Sequence, residues 1–365
     1  MSCIFIFRRD LRLTDNTTLI AALNKYDKVL PVFIYDVNQL TLNGFHNTHF
    51  LTVQEQALDD LNSYLTKKNS MLLRMYGTPY KVIDYLIKCY HPAAVAFNLD
   101  YSDYSRQRDS EIARVVSEHK LELLCLHDYY IFRGTVDKTL KYTRLFSDFM
   151  VASFNETVNV QKNNISKFDK FVPKIYKTAV PIKLPRYSPP VTATRAAALE
   201  RIKNNTSDFQ ISCHLKLGLI SGREVYKYAV LNNLDYLRRQ LTWRDYYLAV
   251  HFHFRNIYHF YDERYVAIKW RNDSTECKLL WTGQTGFVLV DAAMRELNET
   301  GLMHNRYRLI VGFFSVKILR INPFWIPENP EHEWHMGGQM YFSKKLIDAC
   351  YINNTANWHF VASDI

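Results

Sequence analysis

The sequence predicts an α/β N-terminal domain, built on a doubly wound parallel five-stranded sheet, followed by an all-helical C-terminal domain. Two patterns carry this expectation. Across the first 128 residues, short apolar runs rich in β-formers alternate with segments of helical period, the signature of parallel strands joined by crossover helices. From Ala197 onward the strand signal fades and helical periodicity dominates almost to the end. A chain of 365 residues suits two cores better than one, since single domains run to roughly 100–200 residues.

The expected strands are CIFIF (3–7), VLPVFIY (29–35), MLLRMYG (71–77), AAVAFNL (93–99) and LELLCLH (121–127). Between them lie helical segments such as LTDNTTLIAALNKY, VQEQALDDLNSYLTKK and YSRQRDSEIARVVSEHK. Asp15 or Asn16 can cap the first helix, because a side-chain oxygen there accepts an otherwise orphan backbone N–H. No GxGxxG follows the first strand; RRDLRLTDN does, so the sheet alone specifies no dinucleotide. Read without further context, the arginines of that turn pair with Asp10 and Asp15. Residues 129–195 read as a connector, with basic-aromatic stretches and then prolines at 181, 185, 189 and 190 that favour an extended run. The resulting division is 1–128, 129–195 and 196–365.

Composition narrows the function class. No stretch reaches about 18 uninterrupted apolar residues, so no membrane span is expected. The N-terminus is apolar before it is basic, the reverse of a secretory signal. Six cysteines are scattered without a CxxC pair, which suits reduced thiols in the cytoplasm or nucleus better than disulfides or a zinc site. The formal charge of +10 favours an acidic partner, with nucleic acid the natural polyphosphate. All six tryptophans fall between Trp243 and Trp358, in the helical half.

WTGQTGFVLVDAAMRELNETGLMHNRYR (281–308) and LIDACYINNTANWHF (346–360) are the most specific segments. Both resemble the FAD-binding core of the photolyase/cryptochrome family. FRRDLRLTDNTTL (7–19) is similar to that family's N-terminal signature, and LRRQLTWRDYY (237–247) to the helix that faces both flavin and DNA lesion.

The resemblance implies FAD in the helical domain, and light-driven splitting of cyclobutane pyrimidine dimers in UV-damaged DNA. It implies cofactor contacts from Thr206, Ser207, Ser212, Arg244, Arg308, Asp348, Ala349, Cys350 and Asn354. Asp348 would orient the isoalloxazine and pair with Arg308, and Asn354 would face N5. Cys350 stands where close relatives have an acidic residue. The lesion would meet Gln240, Trp243, Tyr247, Asn305, Arg306 and Phe360, with Gln240, Asn305 and Asn354 assisting the chemistry. Gln240 replaces a common glutamate, and Phe360 the second tryptophan of the usual WxW. Members that repair six-four photoproducts have histidine at the positions of both Asn305 and Leu309; here neither is present. Trp358, Trp334 and Trp270 would relay electrons to the flavin, with Trp325 a rival for the middle place.

In the family the N-terminal domain often carries an antenna chromophore; the resemblance leaves deazaflavin, folate or no antenna open here. Ser105 stands where folate-binding members have glutamate. The helical domain reads as incomplete at its C-terminus, which suggests a second polypeptide supplying further helices. The alternatives are a cryptochrome-like light sensor, or a noncatalytic or split-gene fragment.

Overall fold

The computed structural model describes residues 1–42, 48–139, 146–161, 169–172, 190–204, 211–253, 268–325 and 334–362. Its five parallel strands are β1 (Ser2–Phe7), β2 (Lys28–Asp36), β3 (Leu73–Gly77), β4 (Ala94–Asn98) and β5 (Glu122–Leu126), in the order β3-β2-β1-β4-β5. The chain starts at the sheet centre, winds to one edge, then returns to fill the other. The order reverses at β1, and in such sheets ligands bind outside the carboxyl ends of the strands near that reversal. Alternation along β1 sends Cys3, Phe5 and Phe7 into one apolar layer and Ile4 and Ile6 into the other, as expected of a strand covered on both faces.

The crossover helices are α1 (Thr17–Lys25), α2 (Thr48–Thr66), α3 (Pro79–Tyr90) and α4 (Asp103–Glu118). Asn16, not Asp15, caps α1, its side chain accepting the Leu19 N–H. Asp15 instead takes a left-handed conformation at φ 47° and points its carboxylate toward the helical half.

The connector is not simply extended. It contains α5 (Arg133–Thr139) and α6 (Phe146–Phe154). PIKLPRYSP, residues 181–189, lies outside the described residues. The helical part comprises α7 (Arg195–Lys203), α8 (Ile211–Leu217), α9 (Gly222–Leu231), α10 (Asp235–His253), α11 (Ser274–Thr282), α12 (Val288–Thr300), α13 (Asn305–Phe313), α14 (Gly338–Lys345) and α15 (Tyr351–Ala362). Among the described residues, no helix is long and apolar enough to cross a membrane.

The expected pairing of the turn arginines with Asp10 and Asp15 does not occur. Arg8 pairs with Asp109 at 2.8 Å, Arg9 with Asp100 at 2.5 Å and Arg12 with Asp128 at 2.5 Å. Asp10 instead accepts the Arg8 backbone N–H and the Asn98 amide. Asp15 receives Arg223 of α9 at 3.0 Å, and Arg223 also reaches Asp128 at 2.9 Å. Sequence neighbours were the wrong partners because the turn faces β4, α4 and the helical domain rather than itself. Gly218, at φ 68°, lets the two halves close: a Cβ there would stand 2.2 Å from the Arg9 carbonyl oxygen. The Leu11 N–H donates across the same junction to the Leu217 carbonyl at 3.0 Å.

Burial opposes the charge on Asp128, but Arg12 and Arg223 outweigh it and hold the carboxyl well below the usual carboxylate range. Because the folded pKa is depressed, the stabilisation is complete above the unfolded pKa and is lost as pH falls through and below that range. Asp128→Asn should therefore cost about 3–5 kcal/mol at neutral pH, the usual result of breaking a buried pair. In denaturant titrations the gap from the parent protein should narrow under acid. A variant of equal stability at pH 7 would show that the junction does not depend on this charge.

Candidate functional site

The helical half contains a cavity of about 480 Å3, within the size range of sites that enclose a cofactor or drug-sized ligand. One wall is α10, whose helical spacing puts Gln240, Trp243, Arg244 and Tyr247 on a shared face. Asn305, Arg308 and Leu309 of α13 form a second wall. The turn between α14 and α15 contributes Asp348, Ala349 and Cys350, and α15 adds Asn353, Asn354, Trp358 and Phe360. Most residues assigned from the sequence are thus brought around one space.

Asp348 anchors the polar end. Its side chain is only 6% exposed; Oδ2 lies 3.0 Å from Arg308 and accepts the Ser212 hydroxyl at 2.6 Å. Burial raises its pKa, but the Arg308 charge and hydrogen bond and the Ser212 donor more than compensate, leaving it below the ordinary value. Its Oδ1 is buried with no hydrogen-bond partner among the described residues. Such an atom costs stability unless a bound group donates to it, and the ring imide N–H of a flavin is a donor of the required kind. The donor set and the cavity volume fit FAD.

Ser212, one of the expected cofactor contacts, lines the cavity and supports the carboxylate. Thr206 and Ser207 lie outside the described residues. The Asn354 amide donates to the Gln339 carbonyl and the Ser343 hydroxyl, each at 2.8 Å. Those acceptors fix which way the amide points, leaving Oδ1 available as an acceptor.

Two cations were not read from the sequence as site residues. Arg9 crosses from the β1–α1 turn into the cavity wall, donates to the Cys350 sulfur at 3.7 Å and lies over the Tyr129 ring at 4.2 Å. Lys216 of α8 also lines the cavity and donates to the Ala349 carbonyl. Burial would raise the Cys350 pKa, yet Arg9, Lys216 and Arg244 bring it below the ordinary thiol value. Cys350 thus sits in a cationic setting that favours its thiolate more than in an ordinary thiol. Arg9 was visible in the motif, but its reach of 341 positions along the chain to Cys350 leaves no local signal.

At the open end, Asn305 and Phe360 are exposed, Phe360 by 54%. Arg306 is exposed and off the cavity wall, with no carboxylate within ion-pair distance among the described residues. Trp243 carries a stacked partner absent from the sequence reading: Phe146, with centroids 3.3 Å apart and planes within 6°.

Trp358 is buried at the inner wall. Gly338 makes room for it, since a Cβ there would lie 2.1 Å from the indole. Trp270, Trp325 and Trp334 pack against the same apolar cluster as Trp358, and Lys278 lies 5.3 Å from the Trp334 ring centroid.

A second cavity, of about 500 Å3, opens beside the carboxyl ends of β1 and β2. Asp36, Tyr104, Arg108 and Tyr351 line it, and it shares Arg9, Lys216, Leu346 and Ala349 with the first. Ser105 is not among its lining residues; it is buried and accepts the hydroxyl of Ser102, which is, at 2.8 Å.

Comparison with known proteins agrees with this geometry. Residues 3–162 match the DNA photolyase family and residues 236–365 match the FAD binding domain of DNA photolyase. A deoxyribodipyrimidine photo-lyase of Buchnera aphidicola subsp. Baizongia pistaciae is 26% identical, over 98% of this chain and 80% of that protein. One from Vibrio cholerae is 27% identical, over 98% of this chain and 82% of its own length. A Sulfolobus tokodaii photolyase structure with two FAD molecules superposes with a TM-score of 0.83 at 29% identity, covering 100% of this chain and 83% of that one. A Synechocystis sp. PCC6803 cryptochrome reaches 0.86 at 23% identity, covering 99% and 82%, a likeness of fold. With its sheet, its helical cavity and both family segments in place, the chain belongs to the photolyase/cryptochrome family.

Proposed function

We propose that this protein is a deoxyribodipyrimidine photo-lyase, splitting cyclobutane pyrimidine dimers in UV-damaged DNA with FAD and light. One observation carries the reading: the residues suited to the flavin (Asp348, Arg308, Asn354) and those suited to a flipped base (Gln240, Trp243, Asn305, Phe360) line one continuous cavity. When bound, reduced FAD supplies the photoexcited electron that opens the cyclobutane ring and takes it back afterwards.

The chain's own residues bind and orient. Asp348 holds the cofactor through its Oδ1, kept anionic by Arg308, while Arg244, Ala349 and Cys350 complete the surrounding wall. Asn354 presents Oδ1 because both of its N–H groups are engaged. Trp243 and Phe360 offer ring faces to an extruded dimer, with Tyr247 beside them; base–aromatic stacking is worth roughly 1–3 kcal/mol. The Gln240 and Asn305 amides both donate and accept toward a base edge, but neither can release a proton. That suits a reaction whose work is electron transfer. Arg306, exposed and with no ion-pair partner among the described residues, is placed for a phosphate. Trp358, Trp334 and Trp270 share one apolar cluster, and we assign them the relay of electrons toward the cavity.

We also assign the second cavity to an antenna chromophore, deazaflavin or folate, and keep the division into 1–128, 129–195 and 196–365. The thiols, all free, suit a reducing intracellular compartment. Ile310, Phe313 and Ile318 are exposed on the segment packed against α15; we propose that a second polypeptide covers them.

On defined oligonucleotides, illuminated and fully reduced holoprotein should restore thymines from a cyclobutane dimer and leave six-four lesions intact, as product chromatography would show. No light-dependent repair by protein carrying reduced FAD would overturn the assignment. Asp348→Asn should weaken FAD retention roughly ten- to hundredfold, the worth of a hydrogen bond to a charged group; retention equal to the parent in equilibrium dialysis would rule out its anchoring role. Trp358→Phe should sharply slow photoreduction of oxidised flavin by an external reductant, leaving repair by prereduced protein largely intact. Unchanged photoreduction would mean electrons enter by another route.

A further inference from the structure

The connector between the two halves reaches the lesion-binding helix. Its start is pinned to α10: the Ile131 and Phe132 N–H groups donate to Asp245 Oδ2 at 2.5 and 3.1 Å. Asp245 is two positions from Trp243. The connector's second helix, α6, then lies along α10. Phe146 stacks on Trp243, Phe146 and Phe149 both meet Tyr246 at 5.6 and 5.5 Å, and Phe154 lies under Arg238 at 4.2 Å. Phe149 is fully buried, so α6 is held by its own core contact and Phe146 is held with it.

A tryptophan ring has two faces. Trp243 lines the cavity while Phe146 and Tyr246 do not, and Tyr247, tilted 32° to the indole, does. Phe146, which is not part of the cavity lining, therefore backs one face of the indole, while Tyr247, with its ring centroid 5.3 Å away, flanks it from within the cavity wall. An indole on a half-exposed helix face has side-chain rotamers to lose when a base stacks on it, and holding its plane in advance removes that cost from binding.

We infer that Phe146 is a positioning residue for the lesion: it fixes the plane of Trp243 from behind, so that the connector, which contacts no substrate itself, sets affinity for the flipped dimer. This rests on the photo-lyase reading. It goes beyond that reading by giving a residue outside the cavity a defined effect on damaged DNA alone.

The test is equilibrium binding in the dark to labelled oligonucleotides with and without one cyclobutane dimer, using FAD-loaded protein. Phe146→Leu keeps an apolar side chain but removes the ring. It should raise Kd for the dimer roughly three- to tenfold, the range for a lost aromatic pair, and leave Kd for undamaged DNA and the bound-flavin spectrum unchanged. Phe146→Tyr should restore dimer affinity. At saturating dimer, the light-driven repair rate of Phe146→Leu should equal that of the parent. In a Trp243→Ala background, Phe146→Leu should have no further effect, because a residue acting through the indole has nothing left to position.

Unchanged dimer affinity in Phe146→Leu, equal weakening for both DNAs, or an undiminished effect in the Trp243→Ala background would each overturn the inference. If the parent protein itself shows no preference for the dimer, the photo-lyase reading fails and this inference with it. If the parent prefers the dimer and Phe146→Leu does so equally, only the inference fails.

Discussion

The architecture depends on a buried lattice of two carboxylates and two guanidinium groups between the sheet and the helices. Asp15 and Asp128 come from the α/β half, from the first turn and the end of β5; Arg12 shares their side and Arg223 arrives from α9. Side-chain exposure is 10% at Arg223 and at most 2% at the other three. Ions so enclosed are costly unless each finds partners in good geometry, and here they do. Arg223 alone donates to both carboxylates and to the Asp15 and Asp128 carbonyls. Hydrophobic contact would tolerate sliding between the halves, whereas this arrangement fits in one way.

That fixed junction lets the first turn serve the cavity. Arg12 is held by the lattice and Arg8 by Asp109, while Arg9, paired with Asp100, lies in the wall shared by both cavities. The result is a cofactor site whose electrostatics come from two domains. Asp348 has its own arginine in Arg308, while Cys350 borrows Arg9, Lys216 and Arg244. A cysteine at that position suits the cations, because nearby positive charges favour the thiolate over the thiol.

The sheet was legible because its strands are short, apolar and separated by helical periods: all five expected runs became strands, with ends shifted by two residues or fewer. The α10 and α15 residues of the cavity were legible through motif resemblance, since each motif lies on one helix and helical spacing keeps its residues together. What stayed hidden was long-range. The partners of Arg8, Arg9 and Arg12 lie 91 to 116 positions away along the chain, and local charge pairing pointed to the wrong carboxylates. Ser212 was expected as a cofactor contact, but the bond of its hydroxyl to Asp348, 136 positions away, has no local signal. Helix α6 was obscured by basic and aromatic residues that suggested a connector, and only its packing on α10 shows why the aromatics are there.

These hidden contacts share one feature: the aromatic residues of the cavity wall sit on helices, and the residues that hold them in place come from elsewhere. Trp243 is backed by Phe146 and Trp358 is admitted by Gly338. The neutral amides at Gln240 and Asn305 are compatible with this division. A site that had to move protons would need titrating groups tuned by their neighbours, and each would tie binding to pH. A site whose cofactor supplies the electron needs rigid faces, satisfied donors and one well-held carboxylate. The cavity has those: aromatic faces at Trp243 and Trp358, each held by a neighbour, and a carboxylate, Asp348, held by Arg308 and Ser212.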